Sequence, residues 1–150
     1  GLCVMDMLGE PQTMQTGEPV YEDVVREVRE FLEKRVGALM AAGVAKARIS
    51  VDPGFGFGKA VVEHNYALLA RLRDTAPRSE APFPVLAGMS RKSMLGAVVG
   101  RPAPERGAAS IAAAVCAAER GAAIIRVHDV AQTVDALKVW SALRDAARRN

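Results

Sequence analysis

Three features that would classify a sequence at once are missing from this 150-residue chain. It has no apolar run of membrane-spanning length, no basic-then-apolar leader before its first strand-like run, and no low-complexity linker or composition shift. The expectation is one soluble domain. Cysteine is scarce: Cys3 lies in an apolar strand-like run and Cys116 in an alanine-rich helix-like run, far apart and without metal-ligand spacing. They read as two buried, reduced thiols in a cytoplasmic protein. Charge of one sign is never massed on one segment. The net charge is +3 with a pI near 9.1, but the bases are interspersed with acids along helical patterns. That argues against a nucleic-acid partner and for anionic small ligands. A leading polar segment is also missing, since Gly1 runs straight into "LCVMDM". This opening reads as the interior of something larger.

What is present is ample for a core: half the residues are hydrophobic and a quarter charged. Apolar positions at Val24, Val25, Val28, Phe31, Leu32, Val36, Leu39 and Met40 recur at helical spacing and stop at Gly43. Strand-like runs follow in "RISVD", "FPVLAGM" and, after the alanine-rich "AASIAAAVCAAERG", in "AAIIRVHDV". Between them "HNYALLARLRD" places Tyr66, Leu69 and Leu72 on one helical face. The last segment places Val134, Leu137, Trp140 and Leu143 on another, with Trp140 as helix core. The order is strand then helix, four times, with continuous apolar strands of the kind a parallel sheet covers on both faces. The class is α/β. Four βα units make either a small open sheet or half of an eight-stranded barrel, which needs about 250 residues.

The conspicuous polar and glycine-rich stretches all follow strands, at the end where α/β folds bind ligands. In "DPGFGFGK", Asp52 ends the strand. It can cap a turn, or accept two hydrogen bonds from an amidine-like edge such as a guanine or pterin ring presents. Gly54, Gly56 and Gly58 permit close backbone approach, and Phe55 and Phe57 offer flat apolar walls. In "LAGMSRKS", Ser90 is placed to cap a short helix whose first amides, with Arg91, Lys92 and Ser93, suit an anion; the alternative is a capped helix with two solvated bases. In "IIRVHDV", Arg126 and His128 alternate about Val127 and project to one side, fit for a phosphate or pyrophosphate or for a structural carboxylate. Asp129 has the spacing from Gln132 of a helix-capping box. Asp6, between Met5 and Met7 in "MDMLGEPQTMQ", is either a ligand or a satisfied strand-end acid. His64 and Asn65 read as cap or surface residues.

Taken together, "PQTMQ", "DPGFGFGK" with "HN" beyond it, "GMSRKS" and "RVHDV", in this order and spacing, closely resemble the C-terminal half of the dihydropteroate synthases. The resemblance runs from about Leu2 to Ala147. It implies the last four βα units of a (β/α)8 TIM barrel, with residues 1–150 as the C-terminal half of a pterin-binding domain whose N-terminal half is absent. The implied activity is condensation of 6-hydroxymethyl-7,8-dihydropterin pyrophosphate with p-aminobenzoate, releasing pyrophosphate, at a site where sulfonamides compete. Asp52 would then accept from the pterin edge, Gly88 would pass close to the ring, and Lys92 would hydrogen-bond it. Phe57, Arg91 and Ser93 would surround p-aminobenzoate, while Arg126 and His128 hold pyrophosphate, with Lys92 the third catalytic group. The resemblance also implies Mg2+ bridging pyrophosphate oxygens, bound mainly through residues outside this chain, and a homodimer.

Three positions depart from the resemblance. Asp6 stands where the family pattern is M-H-M, a change that would alter pocket electrostatics, Leu8 stands where a polar or basic residue is usual, and Ala109 stands where glycine is common. The absent strands leave two sheet edges and one core face open, so the isolated chain is expected to be inactive. A noncatalytic pterin-binding module and, with less support, a pterin-binding methyltransferase are the rival readings.

Overall fold

The computed structural model describes residues 1–7 and 20–149. "PQTMQ" and Leu8 lie outside the described residues. Four strands alternate with helices in the anticipated order: β1 (Leu2–Met5), α1 (Val24–Ala41), β2 (Ile49–Asp52), α2 (Glu63–Ala70), β3 (Leu86–Ala87), α3 (Ser93–Val99), α4 (Gly107–Glu119), β4 (Ile124–Ile125) and α5 (Val130–Ala147). β1 pairs parallel with β2 from Leu2↔Ile49 to Met5↔Asp52, and β3 pairs parallel with β4. A parallel bridge between Val51 and Val85 joins the pairs, with Val51 N–H donating to the Pro84 carbonyl at 2.9 Å. The strands thus run β1-β2-β3-β4 in chain order, the arrangement of consecutive units in a (β/α)8 barrel.

The α1 helix forms because its apolar stripe has somewhere to go and its ends are satisfied. Asp23 accepts from the amides of Val25 and Arg26, and Glu27 reaches back to the amides of Glu22 and Asp23. Val25, Val28, Leu32 and Val36 are buried, against a core that includes Ile49, Val51, Leu68 and Leu72. Each such side chain, fully buried, contributes about 1.5–3 kcal/mol of transfer free energy. The helix stops where Gly43 takes a positive φ of 90°. Alanines at 113, 114 and 117 of α4 are buried, small enough to let that helix pack closely.

The uniformly buried strands expected from the sequence are found only at the centre. β2 is the covered strand, whereas Leu2 of β1 and Ile124 of β4 are exposed, because each strand has a neighbour on one side only. Cys3 is exposed on β1 for the same reason, and Cys116 is half-buried, so the pair of buried thiols is not found. The α5 helix corrects a second expectation. Its one buried residue is Thr133, Val134 and Leu143 are exposed, and Trp140 is half-buried beneath the Arg144 guanidinium rather than in the core. No helix among the described residues is long and apolar enough to cross a membrane.

Candidate functional site

Asp52 closes β2 and is 2% exposed. Its Oδ1 accepts from the Gly54 amide at 2.8 Å, an Asx turn in which the acid caps the very loop it introduces. Its Oδ2 lies 3.6 Å from Arg126 Nη2. Burial pushes the carboxyl above its usual range, while the Gly54 amide and the charges of Arg126, Lys92 and Lys59 pull it back. A buried carboxylate with one oxygen occupied and the other facing cations is equipped to take further donors.

The loop after Asp52 is held from behind. Gly54 has a φ of 70°, and a Cβ there would sit 1.8 Å from the Asp6 carbonyl oxygen, so this glycine allows the turn to lie on β1. Asn65, 1% exposed, accepts from the Gly56 amide at 2.7 Å and donates to the carbonyls of Ala60 and Val61. It is a clamp on the glycine loop, not a cap or surface residue. His64 meets the expectation of a local role, accepting from the Ala60 amide at 3.1 Å. Phe55 is core at 1% exposure rather than a pocket wall. Phe57 is half-buried with the Lys92 ammonium 4.3 Å from its ring centroid.

Lys92 joins the two loops, its ammonium donating to the Phe55 carbonyl. Burial draws this amine down to about 8, with the Asp52 charge opposing and Arg126 and Lys59 assisting. The segment leading to it is bent differently from the expected capped helix. Ser90 does not cap α3, which starts at Ser93 with Lys92 as an N-cap that makes no side-chain cap bond. Ser90 Oγ instead lies 2.9 Å from His128 Nδ1 and accepts from the His128 amide. Arg91 adopts a φ of 60°, rare for a residue with a Cβ, and is fixed on three sides. Its amide donates to Ser110 Oγ at 2.9 Å, its carbonyl accepts from Arg106, and its guanidinium pairs with Asp129 at 2.8 Å. Asp129 therefore forms no capping box with Gln132; its side chain serves the Arg91 pair. Ser93 is exposed at the start of α3, and Ala109 fits half-buried in α4.

Arg126 and His128 follow β4 and both meet the β3 end. The Arg126 amide extends the ladder to the Ala87 carbonyl at 3.0 Å, and its guanidinium covers Gly88, where a Cβ would lie 2.7 Å from Nη2. Gly88 thus admits Arg126 to the side of Asp52. Asp6 is a satisfied strand-end acid, paired with Lys59 at 2.7 Å, so its charge is met locally. Asp52, Lys92, Phe57, Gly88 and Arg126 converge, and His128 lies beside them in the chain against Ser90, at the end of β3. The sequence reading missed Asn65, Lys59, Ser110 and Arg106; the first two lie in or just beyond the quoted glycine motif, while the latter pair carries no motif of its own.

Residues 1–128 match the pterin binding enzyme family. The dihydropteroate synthase of Haemophilus influenzae is 49% identical over 145 residues, 97% of this chain and 51% of the relative. That of Escherichia coli K12 is 47% identical over 97% of this chain and 50% of its own length. Among solved structures, Burkholderia cenocepacia dihydropteroate synthase complexed with 7,8-dihydropteroate superposes with a TM-score of 0.94 at 69% identity, over 100% of this chain and 55% of that one. The Yersinia pestis enzyme with a sulfonamide drug complex gives 0.86 at 43% identity, over 96% and 51%. The chain spans about half the length of the curated relatives it matches. With one family covering most of its length and strands, loops and buried acid in the order those motifs require, the chain belongs to the pterin binding enzymes.

Proposed function

We propose that this chain supplies the substrate-binding residues of a dihydropteroate synthase, as the second half of its barrel. The observation that carries the reading is the buried Asp52 carboxylate at a strand end, with Arg126 3.6 Å from its Oδ2 and the Lys92 charge acting on it. A pterin's ring N–H and exocyclic amine offer the paired donors that such a carboxylate takes. Lys92 then donates to the ring, and Phe57, with Lys92 over its face, walls the space where p-aminobenzoate approaches. The carboxylate of p-aminobenzoate meets the start of α3 at Ser93. Arg91 takes part through the backbone bend it enforces, its guanidinium being committed to Asp129.

In the reaction the bond from the pterin methylene carbon to the pyrophosphate oxygen breaks ahead of attack by the aryl amine nitrogen, which forms the new C–N bond and gives up a proton to solvent as pyrophosphate leaves. Arg126 and His128 stabilise charge building on the leaving group, which is electrostatic catalysis rather than proton shuttling. Among the described residues no group of three or more His, Cys, Asp or Glu is arranged to hold a metal ion. The Mg2+ that the resemblance implies would be held mainly through pyrophosphate oxygens and residues outside this chain, where it would supply further charge stabilisation to the leaving group. The same reading carries the remaining expectations: sulfonamides compete at the p-aminobenzoate position, the enzyme is a cytoplasmic homodimer, and the chain alone is inactive.

The decisive experiment joins the chain behind the first half of the Burkholderia cenocepacia relative and assays pyrophosphate release. Release requiring both substrates is expected from the joined protein and not from the chain alone. No release from a folded joined protein that still binds 7,8-dihydropteroate favours the noncatalytic module, and turnover by the chain alone overturns the half-site reading. Lys92 adds a pH signature. Its charged form prevails below about 8 and is lost as pH rises through that value, so pterin affinity should fall on the alkaline side. A Lys92→Met variant should bind more weakly and lose that alkaline limb in a calorimetric pH series.

A further inference from the structure

The glycine loop rests on a buried ion pair that the proposed chemistry does not use. Asp6 follows β1, and its amide donates to the Asp52 carbonyl at 3.0 Å, one step beyond the ladder. Two carboxylates therefore end neighbouring strands, Asp6 at 6% and Asp52 at 2% exposure. The Lys59 side chain is fully enclosed, its ammonium 2.7 Å from Asp6 Oδ2 and 3.2 Å from the Phe57 carbonyl. It also lies 3.4 Å from the point a Gly54 Cβ would occupy, beside the residue whose amide binds Asp52. Burial lowers the Lys59 amine, and the charges of both Asp6 and Asp52 oppose that.

A buried ammonium without a counter-charge is costly, so Lys59 takes a carboxylate partner. Asp6 is that partner at 2.7 Å, and Asp52, on the neighbouring strand end, is the second carboxylate whose charge acts on the amine. We propose that Asp6 is a positioning residue: by holding Lys59 it leaves Asp52 Oδ2 turned toward Lys92 and Arg126, where a ligand arrives, instead of drawn back to Lys59. The pterin side of this statement rests on the reading above; the competition of two acids for one lysine does not. Among the described residues, the other groups facing the cluster are Tyr21, whose phenol is pushed up by burial and by the charges of Asp6 and Glu27, and His64 at the edge of the Tyr21 ring. Arg126 lies 3.6 Å from Asp52 Oδ2, and the Lys92 charge also acts on that carboxyl.

The test compares the wild-type chain, Asp6→Asn and Asp6→Asn/Lys59→Met, with circular dichroism to establish folding and Asp6→Ser as a second neutral variant. Asparagine keeps an oxygen for Lys59 and removes the counter-charge; methionine keeps an unbranched chain and removes the ammonium. Carbon-detected NMR follows the Asp52 carboxyl through a pH titration without ligand, and calorimetry measures 7,8-dihydropteroate binding. In Asp6→Asn the Asp52 carboxyl should titrate at lower pH, and affinity should fall about tenfold, the scale of one weakened charge-assisted hydrogen bond. Both should return toward wild type in the double variant, a rescue that simple loss of fold stability does not produce. An Asp52 titration unmoved by Asp6→Asn, or one not restored by the second substitution, overturns the proposal. If the folded wild type does not bind dihydropteroate, the pterin reading fails, while the ligand-free titration still decides the competition for Lys59.

Discussion

Replacing Asp52 by asparagine is expected to weaken 7,8-dihydropteroate binding by at least about a hundredfold while leaving the fold intact. Hydrogen bonds to a charged acceptor contribute about 1.5–3 kcal/mol each, and in the proposed complex a pterin edge would make two of them to this carboxylate. Asparagine can still accept the Gly54 amide through Oδ1, so the turn that carries the loop persists. The amide group on its other side presents hydrogens where the carboxylate presented an acceptor, opposing both the ring donors and Arg126, which stands 3.6 Å from Oδ2. Removing a buried charge also relieves the desolvation that raises this carboxyl, so melting temperature should not fall. Calorimetry with circular dichroism separates the cases. Unaltered affinity would remove Asp52 from ring recognition, and loss of fold would assign it to the turn.

The second large effect is expected from Arg126→Ala in the joined enzyme, a fall in turnover of roughly 10²–10³, the scale seen when one preorganised donor to a developing anion is lost. The guanidinium is half-exposed, so its removal leaves no cavity in the core. It opens the face of Gly88 and removes one of the positive charges near Asp52. Arg126 holds the Asp52 carboxyl down, so the acid limb of the pH profile should move to higher pH in the variant. Two readouts are then coupled: slower pyrophosphate release and a shifted acid limb. Unchanged release would exclude Arg126 from leaving-group stabilisation, whatever the limb does.

The α1 helix and the glycine loop were legible in the sequence because their information is local. An apolar stripe at helical spacing with an acid at its start and Gly43 at its end specifies a helix almost unaided, and Val25, Val28, Leu32 and Val36 are buried as that stripe requires. The strand-end placement of Asp52, Lys92 and Arg126 followed from the alternation of strands and helices. What was not legible depends on partners distant in the chain. Ser90 has a capping residue's chemistry, but Arg91 turns the backbone at a positive φ, and the hydroxyl meets His128 instead. Asp129 has a capping box's spacing, but a guanidinium 38 residues earlier binds it more strongly than an amide would. Asn65 resembled a helix-start residue because no local pattern reveals that the Gly56 amide needs an acceptor. The α5 pattern described an apolar face correctly and could not say what covers it.

The bend at Arg91 also governs where this chain can change length. Ser90 reaches toward β4 and Lys92 reaches back to the β2 loop, so adjacent residues on either side of one left-handed backbone position serve different strands. An inserted or deleted residue at 90–92 breaks one of those reaches, since each side chain is tied to a partner and Arg91 is pinned to α4 by its own amide and carbonyl. The segment 78–82, at the opposite ends of the strands, is exposed throughout. Length variation among homologous chains should therefore accumulate there, with the three-residue spacing between Met89 and Ser93 behaving as a ruler.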